Sequence, residues 1–162
     1  IIMAKINILC VDDQPEVLET ITRDLQPLEN FFQIETADSV QDAKALLQEL
    51  DGKSIKVGLV ISDHVMPGEE TGVDLLRFVD SDIRFAKTRK ILLTGQAGHT
   101  DTIRAINEAH IDNYFDKPWD AAELLKAAKK LLSKYVLDSG LDYEDYMEVL
   151  DLDELLKSLK KG

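Results

Sequence analysis

One cysteine, Cys10, stands in 162 residues, so no disulfide can form within the chain. A lone thiol fits a reducing compartment, and a cytoplasmic setting is the expectation. Long apolar runs are missing too. No stretch approaches the ~20 residues of a membrane span, and nothing has the layout of a secretory signal. Positive charge is scarce: 19 Lys and Arg face 31 Asp and Glu, a net charge of −12. That leaves no basic stripe to run along phosphates and argues against direct nucleic-acid binding by this chain alone. No G-x-x-x-x-G-K-[ST] loop is present, which removes P-loop nucleotide hydrolysis. The three histidines, His64, His99 and His110, lack metal-ligand spacing and read as solvent-facing or locally bonded. Ile1 and Ile2, ahead of Met3, read as added residues.

What is present is a strict alternation. Short apolar runs stand at "KINILCV" (5–11), "FFQIETA" (31–37), "KVGLVIS" (56–62), "KILLT" (90–94) and "NYFD" (113–116). Three are nearly continuous in Ile, Leu and Val, as strands buried on both faces of a parallel sheet are. "FFQIETA" alternates, which suits an edge. Between the runs lie helical stripes: Val17, Ile21, Leu25; Val40, Ala43, Leu46, Leu47, Leu50 after the N-cap candidate Ser39; Val73, Leu75, Leu76, Val79; Ile103, Ile106; and Leu124 to Tyr135. Five strand-then-helix units predict an α/β domain with helices on both faces of the sheet.

Ligands of such sheets sit beyond the carboxyl ends of the strands. Asp12 and Asp13 follow the first run, Asp63 the third and Lys117 the fifth; Thr94 closes the fourth. Three carboxylates, a hydroxyl and an ammonium are therefore expected on one edge. Two carboxylates ~4 Å apart repel by about 4 kcal/mol at an effective dielectric near 20. The cluster makes sense around a hard divalent cation with oxygen ligands, such as Mg²⁺. Thr94 and Lys117 would then meet phosphoryl oxygens, leaving one carboxylate as nucleophile. Each residue alone has a plainer reading: the Asp pair as a helix cap, Asp63 as a turn, Thr94 as a strand end, Lys117-Pro118 as a turn opening the last helix. Their joint occurrence favours a site.

"VDD" after the first strand, "ISDHVMPG" around Asp63, "LLTG" at the fourth and "YFDKPWD" at the fifth together resemble the receiver domain of two-component response regulators. The resemblance runs from about Lys5 to Val136. It implies a flavodoxin-like (βα)5 doubly wound parallel sheet of order 2-1-3-4-5, with a receiver over 3–137 and a helical tail or linker over 138–162. It implies that Asp63 is the phosphoacceptor, served by a sensor histidine kinase or phosphotransfer protein. Asp13 and Asp63 would hold Mg²⁺ with the backbone carbonyl of Val65, and Asp12 would act mainly through water. Lys117 and Thr94 would complete the catalytic set, and Thr94 with Tyr114 would form the switch pair. A core aromatic is the other reading of Tyr114. Such a chain is not an enzyme beyond its own phosphotransfer and autodephosphorylation. Its surface of helix four, strand five and helix five would control an output domain or protein partner. "DKPWD" also resembles receivers fused to cyclic-dinucleotide phosphodiesterases. The alternatives are a phosphorylation-independent pseudo-receiver acting as a binding module and, further off, an α/β phosphatase; "DDQ" lacks the D-x-D such a phosphatase needs.

The family pattern carries a glycine eight residues after the acceptor. Here Thr71 stands there and Gly72 follows, as if one residue were inserted. Val65 and Gln96 occupy positions that in this family influence how water reaches the acyl phosphate. In the tail, Tyr143, Tyr146, Met147 and Leu150 form one helical stripe, and Leu152, Leu155, Leu156 and Leu159 another, with a break near Asp151. Asp151 and Glu154 resemble a capping box. These stripes need a cover. The favoured readings are a linker or a dimerisation element, ahead of a hairpin folded on the domain. Residues 141–159 are expected on the surface of helix four, strand five and helix five, or on a second copy of the chain.

Overall fold

The computed structural model describes residues 5–95 and 98–161. Its elements are β1 (Ile6–Val11), α1 (Pro15–Asp24), β2 (Phe32–Ala37), α2 (Val40–Gly52), β3 (Val57–Asp63), α3 (Gly72–Ser81), β4 (Arg89–Thr94), α4 (Thr100–Glu108), β5 (Asn113–Asp116), α5 (Ala121–Asp138) and α6 (Leu152–Lys161). The strands are parallel in the order β2-β1-β3-β4-β5, the flavodoxin-like arrangement expected. β2, the alternating run, lies at an edge.

Alternate residues of each central strand feed two cores. Ile8 and Cys10 of β1 join Ile21, Leu25, Leu59, Ile61, Leu124 and Leu132 beneath α1 and α5. Leu9 and Val11 join Val40, Leu47, Val60, Leu75, Leu76 and Ile106 beneath α2, α3 and α4. This period of two explains why β1 and β3 are apolar almost throughout. Burial pushes the Cys10 thiol up to about 12, so it serves as a core residue and not as a nucleophile.

Helix starts follow their local chemistry. Ser39 accepts the Asp42 amide at 3.0 Å and caps α2. Thr71 and Asp74 form a full capping box at α3. α1 opens with Pro15 at its first turn, and the cap position belongs to Gln14, which makes no side-chain cap bond. The plain capping reading of the aspartate pair therefore fails. α5 is capped by Asp120, not opened by Pro118.

The tail is not a free linker, because it folds back on the domain. Val149 and Leu150 are buried in the core beneath α1 and α5, and Tyr146 stacks on Phe32 with ring centres 5.7 Å apart. Of the surface made by helix four, strand five and helix five, the tail uses α5. Phe32 starts β2, at the sheet edge opposite β5. The first stripe is a short 3-10 turn, Tyr143–Tyr146, closed when the Leu150 amide returns to the Tyr146 carbonyl. The capping box is half formed. Asp151 Oδ1 accepts the Glu154 amide at 3.1 Å, but the Asp151 amide donates to Ser133 Oγ at 2.7 Å. Glu154 instead faces Lys130 and Lys157. A buried α5 hydroxyl has displaced the reciprocal bond and ties the tail to the domain.

Leu150→Ala should therefore destabilise the whole domain by about 2–5 kcal/mol, the cost of a large-to-small change in a packed core. Chemical denaturation checks this. A loss under about 0.5 kcal/mol would make the tail an independent appendage.

Candidate phosphoryl-transfer site

The carboxyl ends of β1, β3, β4 and β5 bring the expected side chains together. Asp12 is fully buried after β1, Asp63 is buried at the end of β3, and Asp13 is exposed. Oxygens of these three carboxylates all lie within 4.8 Å of one another. The Lys117 ammonium bridges two of them, 2.8 Å from Asp63 Oδ1 and 3.1 Å from Asp12 Oδ2. Backbone amides fix the same groups. Gln14 N–H donates to Asp12 Oδ1 at 2.8 Å, and His64 N–H donates to Asp63 Oδ1 at 2.8 Å. Lys117 is itself anchored, since its amide donates to the Thr94 carbonyl at 3.0 Å. Thr94 is buried at the end of β4, which pairs with β3 so that Leu93 lies opposite Asp63.

The electrostatics are unbalanced. Burial pushes the Asp63 carboxyl above its usual range; the hydrogen bond and charge of Lys117 oppose this, and the Asp12 charge adds to it. Burial also works against the Lys117 ammonium, but its hydrogen bonds and ion pairs with Asp63 and Asp12 outweigh burial and raise its pKa. One ammonium thus serves a cluster of three acids. An oxygen-only donor set with excess negative charge fits a hard divalent cation, and Asp12, Asp13 and Asp63 are the groups able to hold it. Burial with a charge partner at a strand end also marks a functional site.

The loop after Asp63 accounts for the displaced glycine. Gly72 N–H donates to the His64 carbonyl at 2.8 Å, and a Cβ at Gly72 would stand 1.7 Å from the Asp63 carbonyl oxygen. Gly72 is therefore the residue of close approach, and the extra residue is absorbed ahead of it. Glu70 in this loop pairs with Lys44 of α2 at 2.6 Å.

Other placements differ in detail. Tyr114 is 43% exposed, so the core reading fails for it. Val65 is also exposed, while Met66 beside it is buried. Gln96 lies outside the described residues. His110 bonds locally, its Nδ1 2.8 Å from Asp80 Oδ2. His64 does not follow that pattern: its Nδ1 is buried and has no hydrogen-bond partner among the described residues. Sequence reasoning missed Trp119, whose indole N–H donates to Asp24 Oδ2 at 2.8 Å and ties the segment after Lys117 to α1. A pairing across 95 positions leaves no periodic trace.

Residues 8–129 match the family model described as the response regulator receiver domain. The chain is 30% identical over 135 residues to the hydrogenase transcriptional regulatory protein HoxA of Cupriavidus necator, covering 83% of this chain and 26% of that protein. It is 31% identical over 118 residues to 3'3'-cGAMP-specific phosphodiesterase 2 of Vibrio cholerae, covering 68% of this chain and 21% of that protein. It thus spans 26% and 21% of the lengths of these two relatives. The solved signal receiver domain of an HD domain-containing protein from Pseudomonas fluorescens Pf-5 superimposes with a TM-score of 0.72 at 31% identity, over 86% of this chain and 96% of that one. With the fold and strand-end cluster described above, these matches show that the chain belongs to the response regulator receiver domain family of two-component systems.

Proposed function

We propose that this receiver domain is a phosphorylation switch in which Asp63 takes a phosphoryl group from a phosphohistidine. The observation that carries the reading is the Lys117 ammonium, 2.8 Å from Asp63 and 3.1 Å from Asp12 within a cluster of three carboxylates. An Asp63 carboxylate oxygen attacks phosphorus and forms the acyl-phosphate O–P bond. The P–N bond to the donor imidazole breaks, and the ring nitrogen keeps the electron pair and takes a proton. A Mg²⁺ ion held by Asp13 and Asp63, with Asp12 through water and the Val65 carbonyl, would offset charge on the transferred group. Lys117 and Thr94 would bind its remaining oxygens.

The product adds about −1.5 to −2 charge at the strand edge. In the proposed response Thr94 turns toward it and Tyr114 follows into the vacated space. That shifts two arrangements of the surface made by α4, β5 and α5, and so governs an output domain or partner. A full swing from 1:99 to 99:1 needs about 5.5 kcal/mol of differential stabilisation. Receiver domains are regulatory modules, and no further enzymatic activity is proposed. A cytoplasmic location goes with this reading. Among the described residues no helix is long and apolar enough to cross a membrane.

Acetyl phosphate with Mg²⁺ should add one phosphoryl group per chain by intact mass, and EDTA should suppress the addition. Asp13→Asn should slow labelling at least about tenfold, as loss of a ligand charge lowers metal affinity. Labelling indifferent to EDTA would sink the metal assignment. No labelling at all would favour the binding-module reading. The sole tryptophan offers a second readout. Trp119 stands two residues from Lys117 and is bonded to α1, so beryllofluoride with Mg²⁺ should change its emission. Unchanged emission at saturating beryllofluoride would show that a change at Asp63 does not reach the segment after Lys117.

A further inference from the structure

α6 has two apolar faces. Leu155 is buried against the domain. On the adjoining flank Leu152, Leu156 and Leu159 follow at i, i+4 and i+7 and remain 62%, 54% and 53% exposed. This spacing is a two-turn a/d seam, with Leu156 at a and Leu152 and Leu159 at d. Asp153 and Lys160 then both fall at e, and Leu155 falls at g. The first turn is acidic, with Asp153 and Glu154, and the last is basic, with Lys160 and Lys161.

We propose that a second copy of this chain covers the seam, its α6 lying antiparallel to the first about a two-fold axis at Leu156. Leu156 then meets its own equivalent, and Leu152 meets Leu159 of the second copy. Reversal of direction sets e beside e. Asp153 lies next to Lys160 of the second copy, and symmetry repeats the pair. The helix dipoles also oppose head to tail. A parallel pairing would set e against g, where Leu155 is already occupied by its own domain, and would bring like-charged ends together. The charge order therefore selects the antiparallel dimer. The seam continues past Leu152 into a groove against α5, where Leu125 and Met147 are further apolar walls. A helix of ten residues, about 15 Å long, offers a seam that stays below the ~1,200 Å² of a standard interface, so the dimer is weak and depends on concentration. This inference does not rest on phosphorylation.

Sedimentation velocity on the 162-residue chain, from about 1 μM to about 1 mM, tests it. The weight-average mass should rise reversibly toward that of a dimer. Leu156→Glu sits on an exposed position, should keep the monomer fold by circular dichroism, and should weaken association by about 100-fold or more. Asp153→Lys and Lys160→Asp should each weaken it about tenfold, and the double exchange should restore it to within about threefold. A monomer at the highest concentration overturns the proposal. So does a dimer indifferent to Leu156→Glu, or a double exchange that fails to restore association.

Discussion

Asp63→Asn is expected to abolish phosphoryl labelling while leaving the fold as stable as before, or more so. An amide keeps the size of the carboxylate but is not a competent nucleophile toward phosphorus. Its stability follows from the local electrostatics. Burial and the neighbouring Asp12 charge hold the Asp63 carboxyl above its ordinary range despite Lys117, so the ionised form is disfavoured in the fold. For an acid whose folded pKa is raised, stability is lost as pH climbs from the unfolded pKa through the folded one. Asparagine carries no such charge, so the penalty disappears at neutral pH. Lys117 keeps Asp12 as a partner at 3.1 Å, and Asp12 keeps the Gln14 amide at 2.8 Å. The variant should melt no lower than the parent and gain no mass with acetyl phosphate and Mg²⁺. Stoichiometric modification at another residue would refute Asp63 as acceptor. A steep fall in melting temperature would show that the Asp63–Lys117 pair is stabilising and that the electrostatic argument has the wrong sign.

How far the sequence carries depends on which forces write a periodic pattern. β1 and β3 are legible because a parallel sheet covered on both faces demands apolar residues at every position. β2 is legible as an edge strand because its alternation has a half-exposed partner in the fold. Asp12, Asp63, Thr94 and Lys117 are legible as a group because each ends a strand, and the strand ends of such a sheet converge. The tail was harder. Its stripes announce apolar faces but not the surface that covers them, and Tyr146 on Phe32 joins residues 114 positions apart. Asp151 and Glu154 have the spacing of a capping box, but Ser133, on another helix, takes the amide that the box needs. Tyr114 shows the same limit. Its place three residues before Lys117 is a matter of spacing, while its exposure depends on which side of an edge strand it occupies.

Gly72→Ala should be among the most damaging single substitutions in the chain, although it adds one methyl group. The new Cβ would stand 1.7 Å from the Asp63 carbonyl oxygen, 2.7 Å from its carbonyl carbon and 2.8 Å from Ser62 Oγ. Two of these atoms are backbone of a central strand, so they cannot swing aside as the end of a long side chain would. Ser62 Oγ already donates to the same oxygen at 2.8 Å, which leaves no slack. Either the start of α3 lifts away or the end of β3 is displaced. Lifting α3 breaks the Gly72–His64 hydrogen bond and loosens the Thr71 capping box. Displacing β3 carries Asp63 away from Lys117. Overpacking of this kind costs about 3 kcal/mol or more where backbone must move, or about 6–12 °C in melting temperature for a domain of this size. Thr71→Gly is the matched control. It stands at the position where the family pattern has glycine, removes a cap hydroxyl and should cost only a few tenths of a kcal/mol. If Gly72 alone is the residue of close approach, Gly72→Ala should lower both the melting temperature and the rate of acetyl-phosphate labelling, and Thr71→Gly should change neither by much. The reverse ranking would mean that the inserted residue lies after the close approach, and that the path of this loop beside the phosphoacceptor has been read one residue out of step.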